Sequence, residues 1–276
     1  ERLSHCPLDC PDACSLTVEV EGDRVVSVDG DRRNPLTDGY ICTKVRSFPK
    51  HLYGSERVLE PRIRVGPKGT GGFRPATWDE ALDLIAERMR DVVAEFGGEA
   101  ILPLSYGGSN GALTQDTTDA RLFRRLGASN IARNVCAVPT GLASMGMYGK
   151  MPGVAFSDFA HAELIVVWGC NPAVTGIHLL PHVQEARRRG AKMVVLDPRR
   201  NRLARQADLH LPLRPGTDVA VALAVANWLF ENDRADLEFL ADNALQVDEF
   251  RRRASEWTPQ RAASVAGVAA ADIETL

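Results

Sequence analysis

No run of about eighteen or more apolar residues occurs in this 276-residue chain, which excludes a helix spanning a bilayer. An excess of charge of one sign is missing too. The net charge is -3 and the pI about 6.1, so bulk electrostatics give no case for nucleic acid or an anionic membrane as partner. Arginine greatly outnumbers lysine but is dispersed among acids, as on solvated helix faces. Internal repeats and low-complexity tracts are lacking, and Glu1 is followed by no signal-like apolar segment, so cytoplasm is the expected location. Neither a Gly-x-Gly-x-x-Gly after a strand nor a phosphate-loop Lys-Ser/Thr occurs, which removes support for ordinary dinucleotide or triphosphate binding. His178 and His182, at helical i, i+4 spacing, have no third ligand nearby in sequence, and surface or capping roles are expected for them. The length suffices for one large or two ordinary domains.

Cysteine is scarce as well, six in all, yet four of the six are Cys6, Cys10, Cys14 and Cys42. Three thiols on one short loop and a distant fourth can surround an iron-sulfur cluster, for which four cysteines is the usual ligand count. Pro7 and Pro11 restrict the loop backbone. Leu16, Val18 and Val20 alternate with polar residues, and Val25, Val26 and Val28 follow across Glu21-Gly22-Asp23, which predicts a β-hairpin that returns Cys42 toward the other three. Structural zinc and disulfides are the alternatives. The two-residue gaps usual for zinc are absent, and the chain is far larger than the scaffolds that depend on disulfides.

Beyond this loop-rich start, a boundary is expected within residues 61–75, where glycines crowd. Thr77-Trp78-Asp79-Glu80 predicts a capping box, with a helix to Phe96 that buries Leu82, Ile85, Met89, Val92 and Phe96 and ends at Gly97. A helix is expected over 117–126, closed by Gly127, then an extended piece over 131–135. Buried strands at 164–168 and 193–196 flank a helix over 179–189, residues 209–213 extend again, and 219–230 form a buried helix. This order predicts α/β layers around a parallel sheet, so the fold class is a small iron-sulfur subdomain with a β-hairpin followed by Rossmann-like parallel-sheet α/β layers.

Ligands of such sheets sit at the carboxyl ends of the strands. Those ends read Gly169-Cys170-Asn171-Pro172, Asp197-Pro198-Arg199-Arg200 and Arg214-Pro215-Gly216-Thr217-Asp218. Gly169 and Gly216 permit close backbone approach; Asp197 can accept from ribose hydroxyls, Arg199 can fork onto a phosphate and Asp218 can accept from a purine edge. The loops are nucleotide-shaped, although Asp197 and Asp218 are equally suited to helix capping.

Taken together, the motifs resemble the large catalytic subunits of the molybdopterin oxidoreductases, the dimethyl sulfoxide reductase family that includes formate dehydrogenases and nitrate reductases. The resemblance covers essentially the whole chain: the cysteine layout with Cys42-Thr43-Lys44, Pro75-Ala76-Thr77-Trp78-Asp79-Glu80-Ala81-Leu82, Trp168-Gly169-Cys170-Asn171-Pro172, Leu196-Asp197-Pro198-Arg199 with Ala207-Asp208, and Arg214-Pro215-Gly216-Thr217-Asp218. It implies that Cys6, Cys10, Cys14 and Cys42 hold a 4Fe-4S cluster and that Lys44 lies between the cluster and a pterin. Gly169, Asn171, Asp197, Arg199, Gly216 and Asp218 would bind one guanine dinucleotide of Mo-bis(molybdopterin guanine dinucleotide), tungsten being the other metal such sites take. Cys136, read from the residues alone as a buried thiol, becomes by resemblance the protein ligand to molybdenum, a soft metal partner. Formate-oxidising relatives carry histidine after that ligand, whereas this chain has Ala137, which argues against formate. Cys170 is read as a packed thiol without function.

The implied domains are 1–60 for the cluster, 61–135 for a first α/β segment and 136–276 for the dinucleotide, the last incomplete relative to the family. The implied activity is two-electron redox of a small-molecule substrate, with electrons passed through pterin and cluster to a redox partner. A non-catalytic electron-transfer subunit and a non-redox hydratase of the same family are the alternatives.

Overall fold

The hairpin expected from the alternation within residues 15–30 forms, with one register irregularity between Glu19 and Val20. In the computed structural model, which describes residues 1–104, 118–132, 134, 135 and 137–276, the first sheet is antiparallel and ordered β1 (Arg2–His5), β2 (Ser15–Glu21), β3 (Arg24–Gly30). Gly22, at φ 57°, makes the tight reversal between β2 and β3. Inward-facing Leu16 and Val28 pack with Cys14, Ile41 and Val45, the core of the first of two compact units, Glu1–Gly153. The short helices α1 (Thr43–Arg46) and α2 (Phe48–Leu52) follow, and the Tyr53 hydroxyl accepts from Val25 N at 2.7 Å while Arg24 lies over its ring.

Residues 61–75, expected as a boundary, contain a two-stranded hairpin of β4 (Arg62–Arg64) and β5 (Phe73–Pro75). Next comes α3 (Trp78–Phe96), opened as the capping box requires. Thr77 Oγ1 accepts from Glu80 N at 3.1 Å, and the Glu80 carboxyl is held below its usual range first by Arg74 and, less strongly, by the Thr77 amide. The expected burial of its apolar face is found only in part: Met89 and Val92 are half-buried, but Leu82 is 56%, Ile85 50% and Phe96 65% exposed. α4 (Thr118–Leu126) stops at Gly127 in the left-handed region, and α5 (Ala137–Tyr148) ends the unit. The described residues of 131–135 form no strand, in contrast to the extended piece expected there.

The second unit, Val154–Leu276, is the α/β layer. Its sheet is wholly parallel and ordered β6 (Leu164–Trp168), β7 (Lys192–Leu196), β8 (Leu209–Leu211). Met193 and Val195 of β7 join Ile165, Val167 and the helix α6 (Leu180–Arg188) on one face. Val194 and Leu196 face the other side, where α7 (Asp218–Glu231), α10 (Pro259–Ala266) and α11 (Ala270–Thr275) pack; α8 (Leu237–Asn243) and α9 (Val247–Ala254) connect them. Burial on both faces explains why β7 reads as an unbroken apolar run. β6 departs from that expectation, since Leu164 and Val166 stay 49% and 42% exposed. It is one of the two edge strands among the described residues, and the helices of the second face lie over β7 and β8. His178, for which a surface or capping role is expected, is only 3% exposed and sits in the 3-10 turn before α6, so it shares no α-helix with His182.

Candidate cofactor sites

The cysteine loop of the first unit is closed at its neck by Cys6 N donating to Cys14 O at 2.9 Å and tightened by Ala13 N donating to Cys10 O at 3.2 Å, with Ala13 at φ 43°. Cys42 arrives by a separate device. A Cβ on Gly30, the last residue of β3, would lie 2.6 Å from Tyr40 N, so the segment before Cys42 runs directly against the sheet. Thr37, wholly buried, accepts from Ser15 N at 3.0 Å and ties that segment to β2. The Asn34 side-chain amide adds a bond to Ser15 Oγ at 2.7 Å.

The four thiols therefore share one neighbourhood. The Cys14 thiol is pushed up to about 11, first by burial, then by Asp12, Cys6, Cys10 and Cys42. Thiolates so crowded repel one another unless a positively charged group sits among them, and Asp12, 2% exposed, deepens the negative field. All four are free of disulfides. Four thiols gathered in one neighbourhood are the usual ligand count of a 4Fe-4S cluster, and the donor set fits that group. Lys44 is exposed in α1, two residues beyond Cys42.

In the second unit the three strand-end loops converge at one end of the sheet. Gly169 N donates to Leu196 O at 2.9 Å, joining the β6 and β7 loops, and Asp197 N donates to Leu211 O at 3.2 Å, joining β7 to β8. Trp168 Nε1 donates to Asp218 Oδ1 at 2.7 Å, joining the β6 end to the start of α7. The Arg214 loop is pinned from behind: Arg214 N donates to Ala266 O at 2.9 Å, and a Cβ on Gly267 would lie 2.9 Å from Arg214 Nε. No atom lies within 4 Å of where a Cβ would sit on Gly169 (φ 61°) or Gly216 (φ 85°), which leaves room above both turns for a ligand.

Each expected cradle residue has a distinct local state. Asn171 Oδ1 is buried and accepts no hydrogen bond from any described residue, an orphaned acceptor that a ligand donor would satisfy. Asp197 already accepts from Arg199 N at 2.7 Å and from Asn201 Nδ2 at 3.0 Å, so its carboxylate shapes the loop as well as offering remaining lone pairs. Arg199 is exposed and makes no ion pair among the described residues. Asp218 is also exposed; Thr217, at the N-cap, makes no side-chain cap bond, and the Asp218 carboxylate turns to Trp168 instead of capping its helix. These residues fit a nucleotide-bearing pterin.

Three further placements differ from or add to expectation. Cys170, read as a packed thiol, is exposed; desolvation raises its thiol, and the Asp197 carboxylate adds to the effect. Asp208, part of the family-like motif, lies at the opposite end of β7, where Oδ2 accepts from Met193 N at 2.9 Å beside Lys192 and Arg187; its role is to anchor the strand. Cys136 lies outside the described residues. Its sequence neighbours Asn134 and Val138 line a cavity of about 540 Å³ with Asp119, Phe123, Arg124 and Asn130. Buried Asp12 and the Trp168–Asp218 pair carried no signal in the sequence, because neither follows from spacing or periodicity.

A family model described as molybdopterin oxidoreductase matches residues 57–244, and one described as molybdopterin oxidoreductase Fe4S4 domain matches residues 2–54. The chain belongs to the molybdopterin oxidoreductase family, whose models imply molybdopterin and 4Fe-4S cofactors. It is 36% identical to the probable oxidoreductase YoaE of Bacillus subtilis over 99% of this chain and 40% of that protein. Against formate dehydrogenase H of Escherichia coli the identity is 28%, over 98% of this chain and 38% of that protein. Acetylene hydratase from Pelobacter acetylenicus shares the fold at a TM-score of 0.74 and 27% identity, covering 98% of this chain and 38% of that one. The chain thus spans about two fifths of the length of the relatives it matches. Among the described residues no helix is long and apolar enough to cross a membrane.

Proposed function

We propose that this chain forms the iron-sulfur and first nucleotide-cradling part of a molybdenum oxidoreductase that exchanges two electrons with a small-molecule substrate and passes them singly to a redox partner. The observation that carries this reading is the thiol quartet gathered in one neighbourhood, where burial first, and then Asp12 and the other three thiols, push Cys14 up to about 11. When bound, the metal-pterin group supplies the two-electron chemistry, and the protein contributes access, position and electrostatics. Cys6, Cys10, Cys14 and Cys42 hold the cluster, and Lys44 adds a positive charge beside it. Asn171 takes a donor of the dinucleotide, Asp197 its ribose, Arg199 its phosphates and Asp218 the edge of its guanine, with Gly169 and Gly216 admitting the backbone closely. Cys136 binds molybdenum through its thiolate. Ala137 brings no proton-carrying group beside the metal, which argues against formate oxidation, where a proton must be taken up there. A reducing, cytoplasmic setting goes with free thiols.

The likeness to acetylene hydratase favours one alternative, a hydration without net redox. It differs in outcome: substrate would be consumed with no reduction of a dye acceptor. The ligand assignment is tested in the full-length protein by Cys136→Ser. X-ray absorption at the molybdenum edge is expected to lose one metal-sulfur distance and gain a metal-oxygen one. A spectrum unchanged from that of the unaltered protein would show that Cys136 is not the ligand.

A further inference from the structure

Asp218 and Trp168 are separated by 50 positions in sequence, and their hydrogen bond is the direct side-chain link between the β6 end and the start of α7. We infer that Trp168 is a positioning residue, which holds the Asp218 carboxylate in the one orientation that selects guanine over other bases. The inference rests on the nucleotide reading above and adds to it the source of base selectivity.

The physical argument starts from the carboxylate. Asp218 is exposed at the first position of α7, where the helix dipole favours its charge but leaves its rotamer free. It does not cap the helix, so the helix itself does not fix the carboxylate. Trp168 can. It ends β6, lies opposite Leu196 in the parallel register, and its ring packs against the buried cluster formed by Val194, Leu196 and Leu211. A side chain so held has little freedom, and its only polar hydrogen points at Oδ1 from 2.7 Å.

That bond uses one lone pair of Oδ1. Oδ2 makes no hydrogen bond among the described residues, and Oδ1 retains a second lone pair. Two acceptor oxygens side by side match the adjacent N1–H and N2–H donors of guanine. Adenine presents an acceptor at N1, and cytosine an acceptor at N3, to the same place. A freely rotating carboxylate would still attract donors but would meet guanine with both oxygens only part of the time. The indole thus converts a general negative charge into a directional one, a gain in preorganisation. Arg214, clasped to the end of α10, keeps the loop from following the base instead.

The test uses the full-length chain prepared without cofactor, with guanosine diphosphate and adenosine diphosphate as probes in calorimetric titrations. The unaltered protein is expected to prefer the guanine nucleotide. Trp168→Phe keeps the ring and removes the N–H; it should weaken guanosine diphosphate about tenfold and adenosine diphosphate by less than about twofold. Asp218→Asn should remove the preference, and adding Trp168→Phe to it should cost nothing further, since the two act as one unit. A merely structural tie would weaken both nucleotides alike, and that result, or an unaltered preference in Trp168→Phe, overturns the inference. If Asp218→Asn abolishes the preference while Trp168→Phe keeps it, positioning alone fails. If the unaltered protein shows no preference, the guanine seat itself is wrong. Should Trp168→Phe not fold, indole proton exchange in the unaltered protein decides: guanosine diphosphate must slow exchange at Trp168 more than adenosine diphosphate does, and equal slowing contradicts the inference.

Discussion

At the scale of residues, the chain shows how few contacts separate a cysteine-rich loop from a cofactor site. Cys42 reaches the other thiols along a segment that Gly30 admits, where Tyr40 N lies at what would be 2.6 Å from a Cβ. Gly30→Ala is therefore expected to push the segment off β3, at a cost of about 1–3 kcal/mol for overpacking, and to lower iron retention. Gly22→Ala is the control. It meets no atom within 4 Å and is penalised only by its left-handed backbone, by about 1 kcal/mol, with iron retained. Chemical denaturation alongside iron assay separates the two. None of this was legible in the sequence, where Gly30 is one of 23 glycines without a distinguishing neighbour. Asp12 was equally hidden, since an acid between cysteines is expected in water and is found 2% exposed.

Elements were read more faithfully, because capping and periodicity are local. The β2–β3 hairpin, the Thr77 cap of α3, the Gly127 stop of α4 and the β6–α6–β7 order all follow from signals within a few residues. What periodicity cannot supply is the partner of an apolar face. α3 has its stripe, but Leu82 and Ile85 remain half exposed, and β6 keeps Leu164 and Val166 open for the same reason. β1, β4 and β5 escaped notice because they are strands of four, three and three residues, too short to establish a period. The contrast has a thermodynamic consequence. Leu211→Ala, at a side chain with no exposed surface, should cost about 2–5 kcal/mol. Leu82→Ala, at 56% exposure, should cost about 0.5 kcal/mol or less. Equal losses in a denaturant series would mean that the α3 face is covered after all.

At the scale of the whole molecule, each unit presents one donor set with its own chemistry. The first gathers four thiols against their mutual repulsion, and the second gathers three loops around open glycine turns and an orphaned amide oxygen. The fold class and the two cofactor classes were legible because motif spacing survives without tertiary knowledge. The distribution of work within them was not: Asp197 is partly spent on its own loop, Asp208 anchors the far end of β7, and Asp218 is steered by an indole 50 positions away. Most direct for the account is composition analysis of the full-length protein purified without oxygen. About four iron and four acid-labile sulfides per chain, with molybdenum or tungsten and guanosine monophosphate released on acid hydrolysis, are predicted. Zinc without sulfide, or no guanine nucleotide, would contradict it.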